Sequence, residues 1–421
     1  MEKLLVSGGS RLSGSVRISG SKNSSLPILA ATLLSEEPCI IHNVPDLSDT
    51  NYMVQILATL GAEAEMEDGT VRVHAQGISS QAPYDLVRKM RASVCVLGPM
   101  LARKGEAFVS LPGGCVIGDR PIDLHLRGLE ALGAEVEVKG GDIRVSAPQG
   151  LKGAKVNMRG QYGSTVLGTD NVMMAAVFAE GTTIIESAAA EPEVEDLAAF
   201  LNALGARIEG AGTRKIVIHG VESLSGAEHE VIPDRIEAGT FMIAGMIAGD
   251  GVVLENVRSD HLTSLIDSLK GSGHIVEVED SGTIRVSAST EPQANEVTTE
   301  PYPGFPTDMQ AQMCAMYVTT PGISVITETV FPNRFMHVSE LKRMGANINL
   351  KDSMAVIRGV DQLSAAPVMA SDLRASAALV LAALGADGTT EINRLYHIDR
   401  GYENIDQKLR SLGAELHRVN E

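Results

Sequence analysis

The sequence predicts an α/β protein of two inside-out domains, each built from three repeated units with helices buried at the centre and sheets outside. Three observations carry that prediction. A short glycine-marked signature recurs along the chain, strand-like alternation follows each copy of it, and the helices between copies are apolar on nearly every face. At 421 residues the chain exceeds one ordinary core, which fits two domains.

The markers are Ala58-Thr-Leu-Gly-Ala62, Ala131-Leu-Gly-Ala134, Ala203-Leu-Gly-Ala206, Lys270-Gly-Ser-Gly273, Arg343-Met-Gly-Ala346 and Ser411-Leu-Gly-Ala414. Their glycines stand at 61, 133, 205, 273, 345 and 413, so the spacing is 72, 72, 68, 72 and 68 residues. One unit of about seventy residues therefore occurs six times.

Each marker closes an apolar-periodic segment such as 124–132 or 405–412, where glycine is the expected helix C-cap. A hairpin follows: 135–138 and 143–146 around Gly140-Gly-Asp142, and 275–279 and 284–287 around Ser281-Gly282. Earlier in each unit a short strand follows glycine, as at 181–185, 251–254 and 388–392. A buried helix precedes it, and 371–384 and 234–248 are the clearest, being rich in Ala and Met. The unit reads as buried helix, strand, outer helix, hairpin.

The first copy is preceded by alternating segments between Glu2 and Ile18, which read as an extra hairpin. It is expected to complete the domain of copies four to six. The domains are accordingly 20–229, and 1–19 with 230–421, with crossings near Ser19 and 229–232 and the ligand in the cleft between domains.

Composition narrows the function. A net charge of −18 excludes bulk attraction to nucleic acid or an anionic membrane, so an anionic ligand must be held by locally placed Lys and Arg. Cys39, Cys95, Cys115 and Cys314 form no zinc spacing, and no metal or cofactor is called for. The start Met1-Glu2-Lys3 has no signal-peptide pattern and no long apolar span follows, which points to the cytoplasm.

Polar residues gather at the starts of the apolar helices: Ser21-Lys-Asn-Ser24, Arg91-Ala-Ser93, Ser164-Thr-Val-Leu-Gly168, Pro233-Asp-Arg-Ile-Glu237, Phe305-Pro-Thr-Asp-Met309 and Ser371-Asp-Leu-Arg-Ala-Ser376. Ser, Thr and Asp there read first as N-caps. Capping does not explain Lys22, Arg91 or Arg374 in apolar surroundings, because an unpaired buried charge is costly. Arg120, Arg334 and Arg400 follow the first strands of copies two, five and six. Together these residues form a cage for a substrate bearing phosphate and carboxylate groups. Asp308 is available as a base at the same level, with His125, His337 and His397 as alternatives.

One loop carries a cysteine that no other copy has at the equivalent place: Leu111-Pro-Gly-Gly-Cys-Val-Ile-Gly-Asp-Arg-Pro-Ile-Asp123. Glycine and proline exclude regular structure, and Cys115 lies five residues from Arg120. By its residues Cys115 is a proton donor or a nucleophile on a movable loop, or a small apolar residue without a role.

Lys22-Asn23, Arg91-Ala-Ser93, the 111–121 loop, Pro233-Asp-Arg-Ile-Glu237, Phe305-Pro-Thr-Asp-Met-Gln310, Asn333-Arg-Phe-Met-His337, Asp372-Leu-Arg-Ala-Ser376 and His397-Ile-Asp-Arg-Gly-Tyr402 occur in this order over essentially the whole chain. The set resembles the UDP-N-acetylglucosamine 1-carboxyvinyltransferases, enolpyruvyl transferases of the EPSP synthase family that open peptidoglycan synthesis. The resemblance implies the enolpyruvyl transferase fold and transfer of the enolpyruvyl group of phosphoenolpyruvate to the 3-hydroxyl of UDP-N-acetylglucosamine, with release of phosphate. Those two small molecules are the implied partners. No nucleic acid, membrane or obligate protein partner is implied.

Residue by residue, the resemblance makes Cys115 the acid that protonates C3 of phosphoenolpyruvate, with a thiol that can also add to it covalently. Asp308 matches the base for the hydroxyl proton. Lys22, Arg120 and Arg400 match the phosphoenolpyruvate clamp, supported by Arg334 and Arg374, with Asp372 beside them. Asn23, Arg91, Asp308 and Val330 match contacts to the UDP-sugar, and Arg120, Pro121, Ile122, Asp123 and Leu124 match the nucleotide loop. Around 161–171 the sequence departs from the family form, and Ser164 and Gly168 are assigned to the diphosphate. The rivals are the same chemistry on shikimate 3-phosphate, and a non-enzymatic ring of six repeats.

Overall fold

Six helix ends are built alike. In every copy the marker glycine has φ between 83° and 109°, a left-handed conformation that costs an L side chain but not glycine. Its N–H donates to the carbonyl three residues back, and the next N–H donates to a leucine carbonyl five residues back: Leu57, Leu129, Leu201, Leu269, Leu341 and Leu409. This is the Schellman closure, and it turns each outer helix directly into the strand that follows it.

The computed structural model describes residues 2–82, 84–111, 122–279 and 282–420. These residues divide into two units, one running from Gly20 to Ile232 and the other joining the segment up to Ser19 to the chain from Pro233 onward. Each has its own apolar core.

In the unit holding copies four to six, the inner helices Arg235–Ala248, Gln310–Tyr317 and Leu373–Leu384 pack against one another. All of Gln310–Tyr317 and every residue from Arg374 to Leu384 is buried. In the other unit Lys22–Ala31 packs on the 3₁₀ segment Arg91–Val96 and on Val166–Ala176, which also meets Leu97–Lys104. Sheets lie outside these helices, so the predicted inside-out α/β class is the observed one. The periodicity located the elements closely: the 371–384 helix is Leu373–Leu384, and the 234–248 helix is Arg235–Ala248 with Asp234 as its cap.

The sheets share one order. Among the described residues five have four strands, arranged as a short parallel edge strand, the central strand, then the second and first strands of the hairpin. In copy five these are Glu296–Thr298, Ile323–Thr327, Met354–Arg358 and Asn347–Lys351. Three of the edge strands escape sequence reading because each is three residues with one buried side chain, at Val156, Val297 and Val368.

The expected N-terminal hairpin does not form. Glu2–Ser7 inserts antiparallel between Thr389–Asn393 and Glu415–Asn420, the position that a hairpin's second strand fills in other copies. Leu12–Arg17 instead pairs in parallel with Gly249–Glu255 as the edge strand of copy four. Each strand buries residues of one face, Leu4 with Val6 and Leu12 with Val16, a local pattern that marks a strand without naming its partners. In the same manner Glu228–Glu230 returns to pair in parallel with Cys39–His42, supplying the edge strand of copy one.

Candidate functional site

The predicted residues fall into two sets, one in each unit. In the unit of copies four to six the centre is Asp308, in the 3₁₀ turn Thr307–Met309 that leads into Gln310–Tyr317. Its Oδ1 accepts from Arg334 Nη1 at 2.6 Å and its Oδ2 from Arg374 Nη2 at 3.2 Å. Both guanidiniums are buried while the carboxylate is about a quarter exposed, at 28%. Charge-assisted bonds from two sides fix its plane.

Arg374 occupies an unusual place for an arginine, 1% exposed at the start of an otherwise apolar helix. Asp372 caps that helix, its Oδ1 accepting from the N–H groups of Arg374 and Ala375. Burial opposes the charge of Arg374, but Tyr402, Asp308 and Asp234 outweigh it and raise the pKa. The guanidinium carbon lies 5.4 Å from the Tyr402 ring centre. Among the described residues Arg374 Nε and Nη1 meet no acceptor in good hydrogen-bond geometry, so this enclosed guanidinium is held chiefly by Asp308 and by the neighbouring Tyr402.

Val330 and Arg334 sit on a loop organised by a residue the sequence reading missed. Glu328, 1% exposed, accepts from Val330 N at 2.8 Å, Phe331 N at 2.9 Å and the hydroxyls of Thr299 and Thr307. Thr307 in turn accepts from Arg334 Nη1 at 3.1 Å. Arg400 is half-buried in the turn after the 3₁₀ segment Leu395–His397.

In the other unit Lys22 is the first residue of its helix, 7% exposed, with Nζ 3.5 Å from Asp49 Oδ2. Asp49 opens the outer helix Ser48–Thr59, and comparing only inner-helix starts passes over it. Asn23 and Arg91 are half-buried, Ile122 is buried, Asp123 begins the helix Asp123–Ala131 and Leu124 is half-buried within it. Cys115, Arg120 and Pro121 lie outside the described residues.

Ser164 ends a two-residue strand and precedes the cap Thr165, whose hydroxyl accepts from Gly168 N at 3.2 Å. Gly168 is therefore a packed residue of the first helical turn. A Cβ there would come within 2.4 Å of the Thr165 methyl.

Histidine geometry separates the alternative bases. His125 is buried with Nδ1 3.0 Å from Asn171 Nδ2. His337 is 1% exposed, and burial, aided by Arg334, lowers its pKa to about 3. His397 is likewise lowered, by burial and then by Arg400. For His337 the sign is that of a base kept neutral by the fold. The unfolded chain binds its proton near the ordinary histidine value of 6.5 and the folded chain only near 3, so stability is lost as pH falls through that window. Urea midpoints at pH 7 and pH 4 should fall further apart for the parent than for His337→Leu; equal losses would remove His337 from the acid response.

The three described cysteines are all free and buried. Burial raises each thiol, that of Cys314 to about 12, which leaves none of the three suited to nucleophilic attack. Among the described residues no group of three or more His, Cys, Asp or Glu could hold a metal ion. No described helix is long and apolar enough to cross a membrane.

A six-repeat chain with a carboxylate bracketed by arginines and a buried lysine at a helix start matches the EPSP synthase (3-phosphoshikimate 1-carboxyvinyltransferase) profile over residues 6–409. The chain belongs to the EPSP synthase family. Within that family it is similar to the UDP-N-acetylglucosamine 1-carboxyvinyltransferase of Akkermansia muciniphila, 62% identical over 420 residues, covering 100% of this chain and 99% of that protein. The protein of the same name from Methylacidiphilum infernorum is 59% identical over 419 residues, again with 100% and 99% covered. Among solved structures, the enolpyruvyl transferase NikO from Streptomyces tendae superposes with a TM-score of 0.91 at 28% identity, covering 100% of this chain and 99% of that one. An EPSP synthase from Acinetobacter baumannii gives a TM-score of 0.75 at 19% identity over the full length of both chains, a likeness of fold.

Proposed function

We propose that the chain transfers the enolpyruvyl group of phosphoenolpyruvate to the 3-hydroxyl of UDP-N-acetylglucosamine and releases phosphate, a step of peptidoglycan synthesis. The observation that carries this reading is identity of 59–62% over the whole chain with proteins named for that reaction. The relatives at that level carry this name and not the 3-phosphoshikimate name of the family profile, which leaves shikimate 3-phosphate the weaker acceptor. A non-enzymatic ring finds no relative among these enzymes.

In the addition step the sugar oxygen bonds to C2 of phosphoenolpyruvate while C3 takes a proton from Cys115 and the hydroxyl proton passes to Asp308. In the elimination step C3 returns a proton to the Cys115 thiolate left by the addition, the C2–C3 double bond re-forms, and the C2–O bond to phosphate breaks. The cationic character developing at C2 and the charge on the leaving phosphate call for fixed neighbours of opposite sign. Lys22, Arg120 and Arg400 are assigned to the phosphate and carboxylate clamp, with Arg334 and Arg374 as supporting charges. The buried positive charges of Arg334 and Arg374 beside Asp308 support this role. Asn23, Arg91 and Val330 are assigned to the sugar nucleotide, and the 120–124 stretch to holding the nucleotide, on the strength of the motif match.

For the diphosphate the helix start at Thr165 supports a refined reading. Gly168 N is taken by the cap, so Ser164 and the first-turn amides of Val166 and Leu167 are the better donors. The same reading places the reaction in the cytoplasm, where both substrates are made, and links it to wall growth, cell shape and division.

Phosphate release tests the proposal. It should require both phosphoenolpyruvate and UDP-N-acetylglucosamine and should not appear when shikimate 3-phosphate replaces the sugar nucleotide. The reverse pattern transfers the assignment to the rival acceptor.

A further inference from the structure

Lys22 and Asn23 sit in a helical turn that lacks one of its ordinary helix bonds. Pro27 lies inside the helix Lys22–Ala31 and has no N–H to give to the Asn23 carbonyl. A closed circuit of other bonds surrounds this turn. The cap Ser21 donates its N–H to Ile232 O at 2.7 Å, and Ile232 N donates to Asp196 Oδ2 at 3.2 Å. The same oxygen accepts from the hydroxyl of Ser24, the third residue of the helix. Lys22 and Asn23 lie between the two serines that the circuit joins.

Asp196 is the junction. It belongs to the outer helix Pro192–Ala203, is 6% exposed, and takes a further bond at Oδ1 from His229 Nε2 at 2.8 Å. The His229 ring is backed by Phe200, with ring centres 5.6 Å apart. Three donors from three separate segments thus converge on one buried carboxylate, which also lies where a negative charge is favoured, beside the start of a helix.

We infer that Asp196 is a positioning residue for Lys22 and Asn23, fixing the first turn of their helix through Ser24 and Ile232. The inference rests on the enolpyruvyl-transfer reading, in which Lys22 clamps phosphoenolpyruvate and Asn23 meets the sugar nucleotide. Asp196 itself touches no substrate.

The test is steady-state phosphate release with both substrates, run on the full chain and on Ser24→Ala, Asp196→Asn and Asp196→Ala, with thermal midpoints alongside. Loss of a bond to a charged group predicts that KM for phosphoenolpyruvate rises about tenfold in Asp196→Ala. Smaller rises are expected in Ser24→Ala and Asp196→Asn, and kcat should change less than KM in each. A purely structural residue would lower the midpoint and leave KM where it was, and that result overturns the inference. Should Asp196→Ala fail to fold, Ser24→Ala decides, since it removes one hydroxyl and leaves the carboxylate in place. Absence of release by the parent chain would overturn the functional reading instead, so the two failures are distinct.

Discussion

Asp308→Asn is expected to lower turnover by about a thousandfold, within the usual range for loss of a general base. The carboxylate has a fixed plane and two guanidinium partners, Arg334 at 2.6 Å and Arg374 at 3.2 Å. An amide of the same shape can accept one of those bonds but has no basic oxygen for the hydroxyl proton. Its NH₂ group would also face a guanidinium, so one bond becomes a clash of donors. Because Arg374 is buried, removing its anion leaves a charge uncompensated, and breaking such a pair costs about 3–5 kcal/mol in the general case. Stability should therefore fall together with rate. The two effects separate by measurement: single-turnover phosphate release on folded enzyme reads the base, and urea midpoints read the pair. Turnover of Asp308→Asn within threefold of the parent would exclude Asp308 as the base.

Cys115→Ser carries the second large effect, a loss of turnover of about a hundredfold or more. Protonation of C3 needs an acid strong enough to give up its proton near neutral pH. A thiol with an ordinary pKa of about 8.5 can do so, and an aliphatic alcohol cannot. A carboxylic acid can, so Cys115→Asp should recover a substantial part of the rate, increasingly toward acid pH where the side chain carries its proton. Covalent chemistry gives a second readout. When the thiol adds across the double bond of phosphoenolpyruvate, sulfur bonds to C2 and the proton goes to C3 with nothing lost. The intact mass of the parent should rise by one phosphoenolpyruvate, and that of Cys115→Ser should not. Unchanged phosphate release by Cys115→Ser would remove Cys115 from the role of acid.

Local chemistry made much of the fold readable. The marker glycines reveal the repeat because a left-handed helix end has few alternatives to glycine, and six such ends recur at nearly constant spacing. The inner helices are equally plain, since burial on all sides demands apolar residues on all sides. Arg374 stood out for the complementary reason: a guanidinium in such a helix needs a partner, and the structure provides Asp308 and Tyr402.

What the sequence by itself determined, then, is the repeated unit, its elements, and the charged residues that break apolar patterns at helix starts. The tertiary structure alone decided the partnerships. Glu2–Ser7 and Leu12–Arg17 look like two arms of a hairpin but complete sheets whose other strands come hundreds of residues later. Asp308 meets arginines 26 and 66 residues away, and Ser24 meets an aspartate 172 residues away. Dihedral preference and side-chain periodicity act over a few residues and leave their mark in local sequence. Strand pairing and ion pairing depend only on proximity in space, which no local pattern records.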